Sequence, residues 1–236
     1  MATFVLVHGA WGGAHGWRKV RPRLHAGGHA VFTPSLTGIG ERAHLTGPHV
    51  DLSVHVDDVV NTVLYEDLTD IVLLGYSYGG MVVTGTLDRI GDRVRELVYL
   101  DAFVPADGQC VADLSTLGDV GAPDPGPAAP WLVPPLPREF SNPAEAAWES
   151  ARRTPQPVRC FTDPVRLTQP LEAYPFGRTY VKATGDARHP TGPDPFWDTA
   201  DRLRGNPAWR SVEIAENHMI PQNAPDALVA VLLDLT

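Results

Sequence analysis

The sequence predicts an α/β chain built on a doubly wound, mostly parallel six-stranded sheet with an inserted lid. Three observations predict it. Short apolar runs bounded by Gly and Pro alternate with longer stretches of helical character; the alternation breaks once, at a proline-rich segment, and resumes; and 236 residues suffice for one sizeable core. Hydrophobic residues at 43% and charged residues at 20% are globular values, which sets aside disordered, coiled-coil and collagen-like chains.

The elements follow in order. Phe4 to Val7 and Ala30 to Thr33 are short apolar runs of the kind buried on both faces of a parallel sheet, with a helix between them from Trp17 to Ala26. A helix from Leu52 to Leu64, opened by an acidic residue, leads to a strand at Ile71 to Leu74; a helix from Gly80 to Arg89 leads to a strand at Val94 to Leu100. After the interruption come a strand at Arg178 to Ala183, a helix from Phe196 to Leu203, a strand at Ser211 to Ala215 and a helix from Asp226 to Leu233. Residues 1–102 and 177–236 thus form the core, and 103–176 the lid. The lid contains "GAPDPGPAAPWLVPPLPREF", too rich in proline for a helix or central strand, and "NPAEAAWESAR", which has the makings of one short helix. Trp131, Leu132, Leu136, Phe140, Trp148 and Phe161 supply more apolar surface than a solvated linker needs, so the segment is expected to lie over the strand ends.

A formal net charge of -9 argues against nucleic-acid or anionic-membrane partners, which call for clustered Lys and Arg. The opening "MATFVLVHGA" lacks a positive leader and a long apolar run, so a cytoplasmic location is expected. Cys110 and Cys160 are too few for a disulfide framework or a zinc site, and read as reduced thiols; no metal is expected. The expected partner is a small-molecule substrate, and an apolar lid face left exposed would support a homodimer.

Chemistry concentrates around "Gly75-Tyr76-Ser77-Tyr78-Gly79", which fits G-x-S-x-G between a strand and a helix. A serine on so tight a turn needs neighbours without side chains, and the turn lifts its hydroxyl towards the positive end of the following helix. A serine hydroxyl is a weak nucleophile that requires a base and a group orienting that base. His218, after the last strand in "IAENHMIPQNAPDAL", is the candidate base. For the acid, Asp186 in "YVKATGDARHP" gives the chain order Ser, Asp, His; Asp101, ending "ELVYLD", is the alternative. Two amides should form an oxyanion hole: that of Tyr78, and that of Ala10 in the glycine-rich loop "VHGAWGG", which His8 would organise. Gly9, Trp11, Phe103, Trp131 and Met219 are the candidate substrate-binding residues, an aromatic-rich set suited to a small hydrophobic or aryl group.

"FVLVHGAWGG", "GYSYGGM", "ATGD" and "ENHM" together resemble the α/β-hydrolase superfamily, especially its small branch of plant methylesterases, salicylate-binding esterases and hydroxynitrile lyases. The resemblance runs over nearly the whole chain in motif order and is weakest in the lid. It implies the α/β-hydrolase fold, a triad of Ser77, Asp186 and His218, an oxyanion hole from the Ala10 and Tyr78 amides, and no cofactor. The lyases of that branch carry Thr after the strand-end histidine and Lys after the catalytic one; Gly9 and Met219 stand there, which favours an esterase. Tyr76 also departs from the His common before the nucleophile. The expected function is a carboxylic ester hydrolase that cleaves a small hydrophobic or aryl ester or lactone through an acyl-enzyme. The alternatives are a lyase or biosynthetic cyclase using the same triad without an acyl-enzyme, and a ligand-binding protein on a hydrolase fold.

Overall fold

A computed structural model describes residues 1–115, 129–189 and 194–236. Six strands form one parallel sheet: β1 (Thr3–Val7), β2 (Ala30–Phe32), β3 (Ile71–Tyr76), β4 (Val94–Leu100), β5 (Gly177–Ala183) and β6 (Arg210–Ile214), in spatial order β2-β1-β3-β4-β5-β6. The order runs outward from β1 in one direction and then reverses, so the crevice between β1 and β3 is the topological switch point where open α/β sheets bind ligands.

Alternation along the strands divides the core in two. Val5, Val7, Leu73, Leu97 and Tyr99 face one side with α2 (Leu52–Tyr65) and α3 (Gly79–Ile90), the Val59 and Val83 side chains among them. Phe4, Leu6, Val72, Leu74 and Val98 face the other, against Leu24 of α1 (Arg21–Ala26) and Leu228 of the C-terminal helix Pro225–Leu233. Central strands buried on both faces need unbroken apolar runs, which is why "FVLV" and "IVLL" show no polar alternation. The helix expected from Trp17 starts only at Arg21, because Pro22 has no amide to donate and fits only in a first turn; Ala14–Trp17 form a separate tight turn instead. Asp51 caps α2 by accepting from the Val54 amide.

The inserted segment packs on the core in its described parts. Leu132–Val133 pairs antiparallel with Gln156–Pro157, and α4 (Pro143–Ser150), capped by Asn142, realises the short helix read in "NPAEAAWESAR". Thr154 donates its amide to the Trp11 carbonyl (2.9 Å) and accepts the Gly40 amide on its hydroxyl (2.8 Å), which ties this segment to the loop after β1. Residues 116–128, including much of the proline run, lie outside the described part. Among the described residues no helix is long and apolar enough to cross a membrane. Cys110 and Cys160 are both free and buried; burial pushes the Cys160 thiol up to about 12, so it stays protonated.

Candidate active site

The carboxyl ends of β1, β3, β4, β5 and β6 converge on one serine. Ser77 follows β3 directly and has φ of 56°, a left-handed conformation that only a tightly determined turn sustains. The turn can close because its flanking residues have no side chains. A Cβ on Gly75 would sit 2.6 Å from the Gly79 carbonyl oxygen, and one on Gly79 would sit 2.8 Å from the carbonyl oxygens of Val7 and His8. Trp11 and Asp101, also at the site, have φ of 62° and 41°. Three of the five described non-glycine residues with positive φ are therefore gathered here, which is where backbone strain tends to be kept for function.

The Ser77 hydroxyl lies 3.0 Å from His218 Nε2, and His218 Nδ1 lies 2.7 Å from Asp101 Oδ2. With Nδ1–H donating to the carboxylate, Nε2 is left to accept the serine proton. All three side chains are buried. Burial pulls the His218 pKa below the usual imidazole value, with the Asp101 hydrogen bond opposing it only in part, so the ring is neutral at neutral pH. Asp101 is buried too, which by itself would raise its pKa; the bond to His218 and the charge of Lys182 outweigh that and hold it ionised. Lys182 Nζ donates to Asp101 Oδ1 at 2.8 Å and to the Ala183 carbonyl at 2.6 Å, both partners buried.

Asp186 does not take the position the sequence reading gave it. Its Oδ2 accepts the backbone amide of His218 at 2.7 Å, and its side chain is exposed; it holds the loop that carries the histidine, and Asp101 holds the ring. The reason lies in sheet order: β4 stands between β3 and β5, so the residue directly after it falls beneath the imidazole, whereas Asp186 lies three residues beyond β5 at the rim. Two aromatic rings flank the histidine. Phe196 is stacked on it, with centroids 5.1 Å apart and planes 10° apart, and Tyr76 lies 5.0 Å away on a tilt. The Tyr76 hydroxyl donates to the His218 carbonyl at 2.8 Å, so the residue that departs from the common His braces the histidine loop.

Among the described residues the Ala10 and Tyr78 amides take part in no hydrogen bond, while the next amide in the first loop, Trp11, donates to Gln156 Oε1 at 2.9 Å. Tyr78 is the N-cap of α3, so its amide also lies at the positive end of the helix. His8 organises the loop as expected: Nε2 accepts the Leu36 amide at 3.1 Å, so Nδ1–H donates to the Gly9 carbonyl at 2.9 Å, and burial lowers its pKa to about 4. Gly9 rests against Ser77, where a Cβ would stand 3.0 Å from that of the serine.

Two compartments open on Ser77. A cavity of about 280 Å³ is apolar, lined by Trp11, Phe103, Leu136, Phe161 and Phe196 among others. A smaller one of about 40 Å³ brings ionisable side chains to Ser77: Arg138, Glu149 and Arg153 contribute to its walls beside His218 and Met219. Of the expected substrate-binding residues, Gly9, Trp11, Phe103 and Met219 line one or the other. Trp131 lines neither; its carbonyl accepts the Val158 amide beside the two-stranded ladder, and Phe161 from the same segment faces the cavity in its place. Phe196 and Arg153 were not singled out by sequence. Phe196 is the second residue of α5 (Pro195–Leu203), after the N-cap Asp194 and Pro195, and an aromatic residue in a first turn carries no sign of stacking on a distant ring.

The parallel sheet, with a serine, an imidazole and a carboxylate in one hydrogen-bonded line at its strand ends, has the architecture of the α/β hydrolases. The chain belongs to the alpha/beta hydrolase family, whose model matches residues 4–231. It is 38% identical, across the whole of both chains, to a carbendazim hydrolyzing esterase of Nocardioides sp. (strain SG-4G), and 30% identical to a pheophorbidase of Raphanus sativus over 78% of this chain and 76% of that one. Among solved structures it is similar to an extracellular alpha/beta-hydrolase from a Paenibacillus species, with a TM-score of 0.85, 26% identity and coverage of 100% and 99%. Esterases among these relatives support ester hydrolysis as the class of reaction.

Proposed function

We propose that this protein is a serine esterase for carboxylic esters or lactones with an apolar or aryl group. The observation that carries the reading is the hydrogen-bonded line from Ser77 through His218 to Asp101, at 3.0 and 2.7 Å, buried and aimed at a cavity. In the reaction Ser77 Oγ attacks the carbonyl carbon as His218 Nε2 takes its proton. The oxyanion is held by the Ala10 and Tyr78 amides, and collapse of the tetrahedral adduct expels the alcohol, which receives that proton from His218. A water molecule, deprotonated by the same nitrogen, then attacks the acyl-serine, releasing the acid and restoring the hydroxyl. Asp101 stays ionised throughout and steadies the imidazolium formed in each half. Asp101 thus has the role that the sequence reading assigned to Asp186.

The apolar cavity suits the hydrophobic arm of the substrate, since desolvating an aryl group against Trp11, Phe103 and Phe161 is favourable at about 25 cal/mol per Å² of apolar surface buried. The test is intact-protein mass spectrometry after exposure to a small fluorophosphonate, on wild type and Ser77→Ala, alongside a panel of aryl esters and lactones. One adduct on the wild type and none on the variant, with turnover of at least one ester, is the expected outcome. A folded wild-type protein with neither adduct nor turnover would overturn the reading.

A further inference from the structure

The arginines of this chain mostly have carboxylate partners: Arg18 meets Glu145, Arg42 meets Asp58, Arg89 meets Asp57, and Arg188 meets Asp198 and Asp201. Two that face the catalytic serine do not. Arg153 and Arg138 line the smaller compartment beside Ser77, and among the described residues neither forms an ion pair. Arg153 is half-buried, lies over the Trp11 ring at 5.7 Å and donates Nη1 to the Leu136 carbonyl, which fixes the guanidinium without neutralising it. Burial and then the charge of Arg138 draw its pKa down to about 10, against a smaller opposing pull from Glu149, and both guanidinium-bearing side chains line the same compartment. Arg138 also lines the apolar cavity and therefore stands where the two compartments meet. The one carboxylate lining that compartment, Glu149, has Oε1 without a partner, forms no ion pair with either guanidinium among the described residues, and is pushed towards its neutral form by burial.

In a chain of net charge -9, holding two like charges together is unfavourable when the one carboxylate lining their compartment, Glu149, forms no ion pair with either, and a bound anion would offset that cost. We propose that Arg138 and Arg153 form a carboxylate-binding subsite, so that the preferred substrates are esters with a free carboxylate on the arm opposite their apolar group. The inference rests on the serine esterase reading and adds the substrate class to it. The planar, forked guanidinium suits a carboxylate because it can offer two parallel N–H donors, which a lysine cannot.

The test compares 4-nitrophenyl half-esters of succinic, glutaric and adipic acids with the neutral 4-nitrophenyl esters of matched chain length. A second pair, carboxyphenyl and phenyl butyrate, moves the anion to the alcohol arm. Wild type is expected to prefer the anionic member of at least one pair in kcat/KM. Arg153→Gln and Arg138→Gln are each expected to reduce that preference by about 10- to 100-fold, chiefly through KM, the loss of one charge-assisted hydrogen bond. Arg153→Lys should recover part of it, and melting curves check that the variants fold. A merely structural role would lower anionic and neutral esters alike; that result, or no preference for anionic esters in the wild type, overturns the proposal. Titration of glutarate into Ser77→Ala, with and without Arg153→Gln, reads the subsite without turnover. Binding that needs Arg153 in a protein that cleaves no ester would refute the hydrolytic reading and leave the subsite standing, whereas turnover with no arginine-dependent binding or preference would do the reverse.

Discussion

Asp101 and Asp186 both hold His218, and the difference between them separates chemistry from scaffolding. Asp101 directly follows β4 in the floor of the site, buried, shared between His218 Nδ1 and Lys182. Asp186 stands at the exposed rim after β5 and grips the same residue by its backbone amide. A carboxylate in a low-dielectric floor interacts strongly with a charge developing on the ring; one in water, attached to the backbone, fixes a loop but is screened from the reaction. Two bonds of the same length, 2.7 Å, therefore do different work.

The sharpest way to break the comparison is to neutralise each carboxylate in turn. Asp101→Asn keeps the shape, removes the charge that steadies the imidazolium and permits the wrong tautomer; kcat on a reactive aryl ester is expected to fall by about 10⁴, the scale seen when a triad acid is so replaced. Asp186→Ala removes one acceptor from the histidine loop and is expected to cost about tenfold, as an effect of positioning. Steady-state kinetics on both variants checks this, and an Asp186 variant as impaired as the Asp101 variant would return Asp186 to the role the sequence suggested. An Asp101→Asn variant should also remain labelled only slowly by a fluorophosphonate, since the serine then lacks an effective base.

Most of the fold was legible beforehand because its signals are local. β4 runs over the residues expected, and α2 and α3 end within one residue of them, since apolar runs, caps and glycine turns all act within a few positions along the chain. Ser77 and His218 were legible for a similar reason: a strained turn needs Gly75 and Gly79, and a histidine after the last strand has little else to reach. The carboxylate that bonds the imidazole was not, because whether residue 101 or 186 meets the ring depends on which strands are neighbours. The sheet order β3-β4-β5 is a property of the assembled sheet, and no short window of sequence contains it. Trp131 and Phe161 repeat the point in the lid, where an apolar composition is plain but which ring turns inward depends on the register of a two-residue ladder, Leu132–Val133 against Gln156–Pro157.

The pH profile offers a finer test. His218 must be neutral to accept the serine proton, so activity falls as pH drops through its pKa. Burial lowers that pKa from 6.5, and the acid limb of kcat/KM is expected to have its midpoint below pH 6.5. Asp186→Ala should move that midpoint slightly lower, since its carboxylate bonds the amide and not the ring but still favours the charged imidazole through space.

Lys182→Met gives the smallest expected change in rate and the most informative one in pH. The ammonium lies 2.8 Å from Asp101 Oδ1, where it stabilises the carboxylate and, as a buried cation near the ring, disfavours a second positive charge there. Removing it leaves the imidazolium as the only cation facing Asp101. Protonated His218 is then favoured, its pKa rises, and the acid limb of kcat/KM shifts to higher pH by up to about one unit, equivalent to roughly 1.4 kcal/mol. The plateau above the limb should change by less than about tenfold, because Asp101 still accepts the bond from Nδ1. The variant is also expected to lose about 3–5 kcal/mol of stability, the usual effect of breaking a buried ion pair, so the profile is best measured well below its melting temperature. A limb that moves to lower pH, or not at all, would mean that Lys182 only packs against Trp197, over whose ring it sits at 4.5 Å, and that the charge on Asp101 is governed by His218 alone.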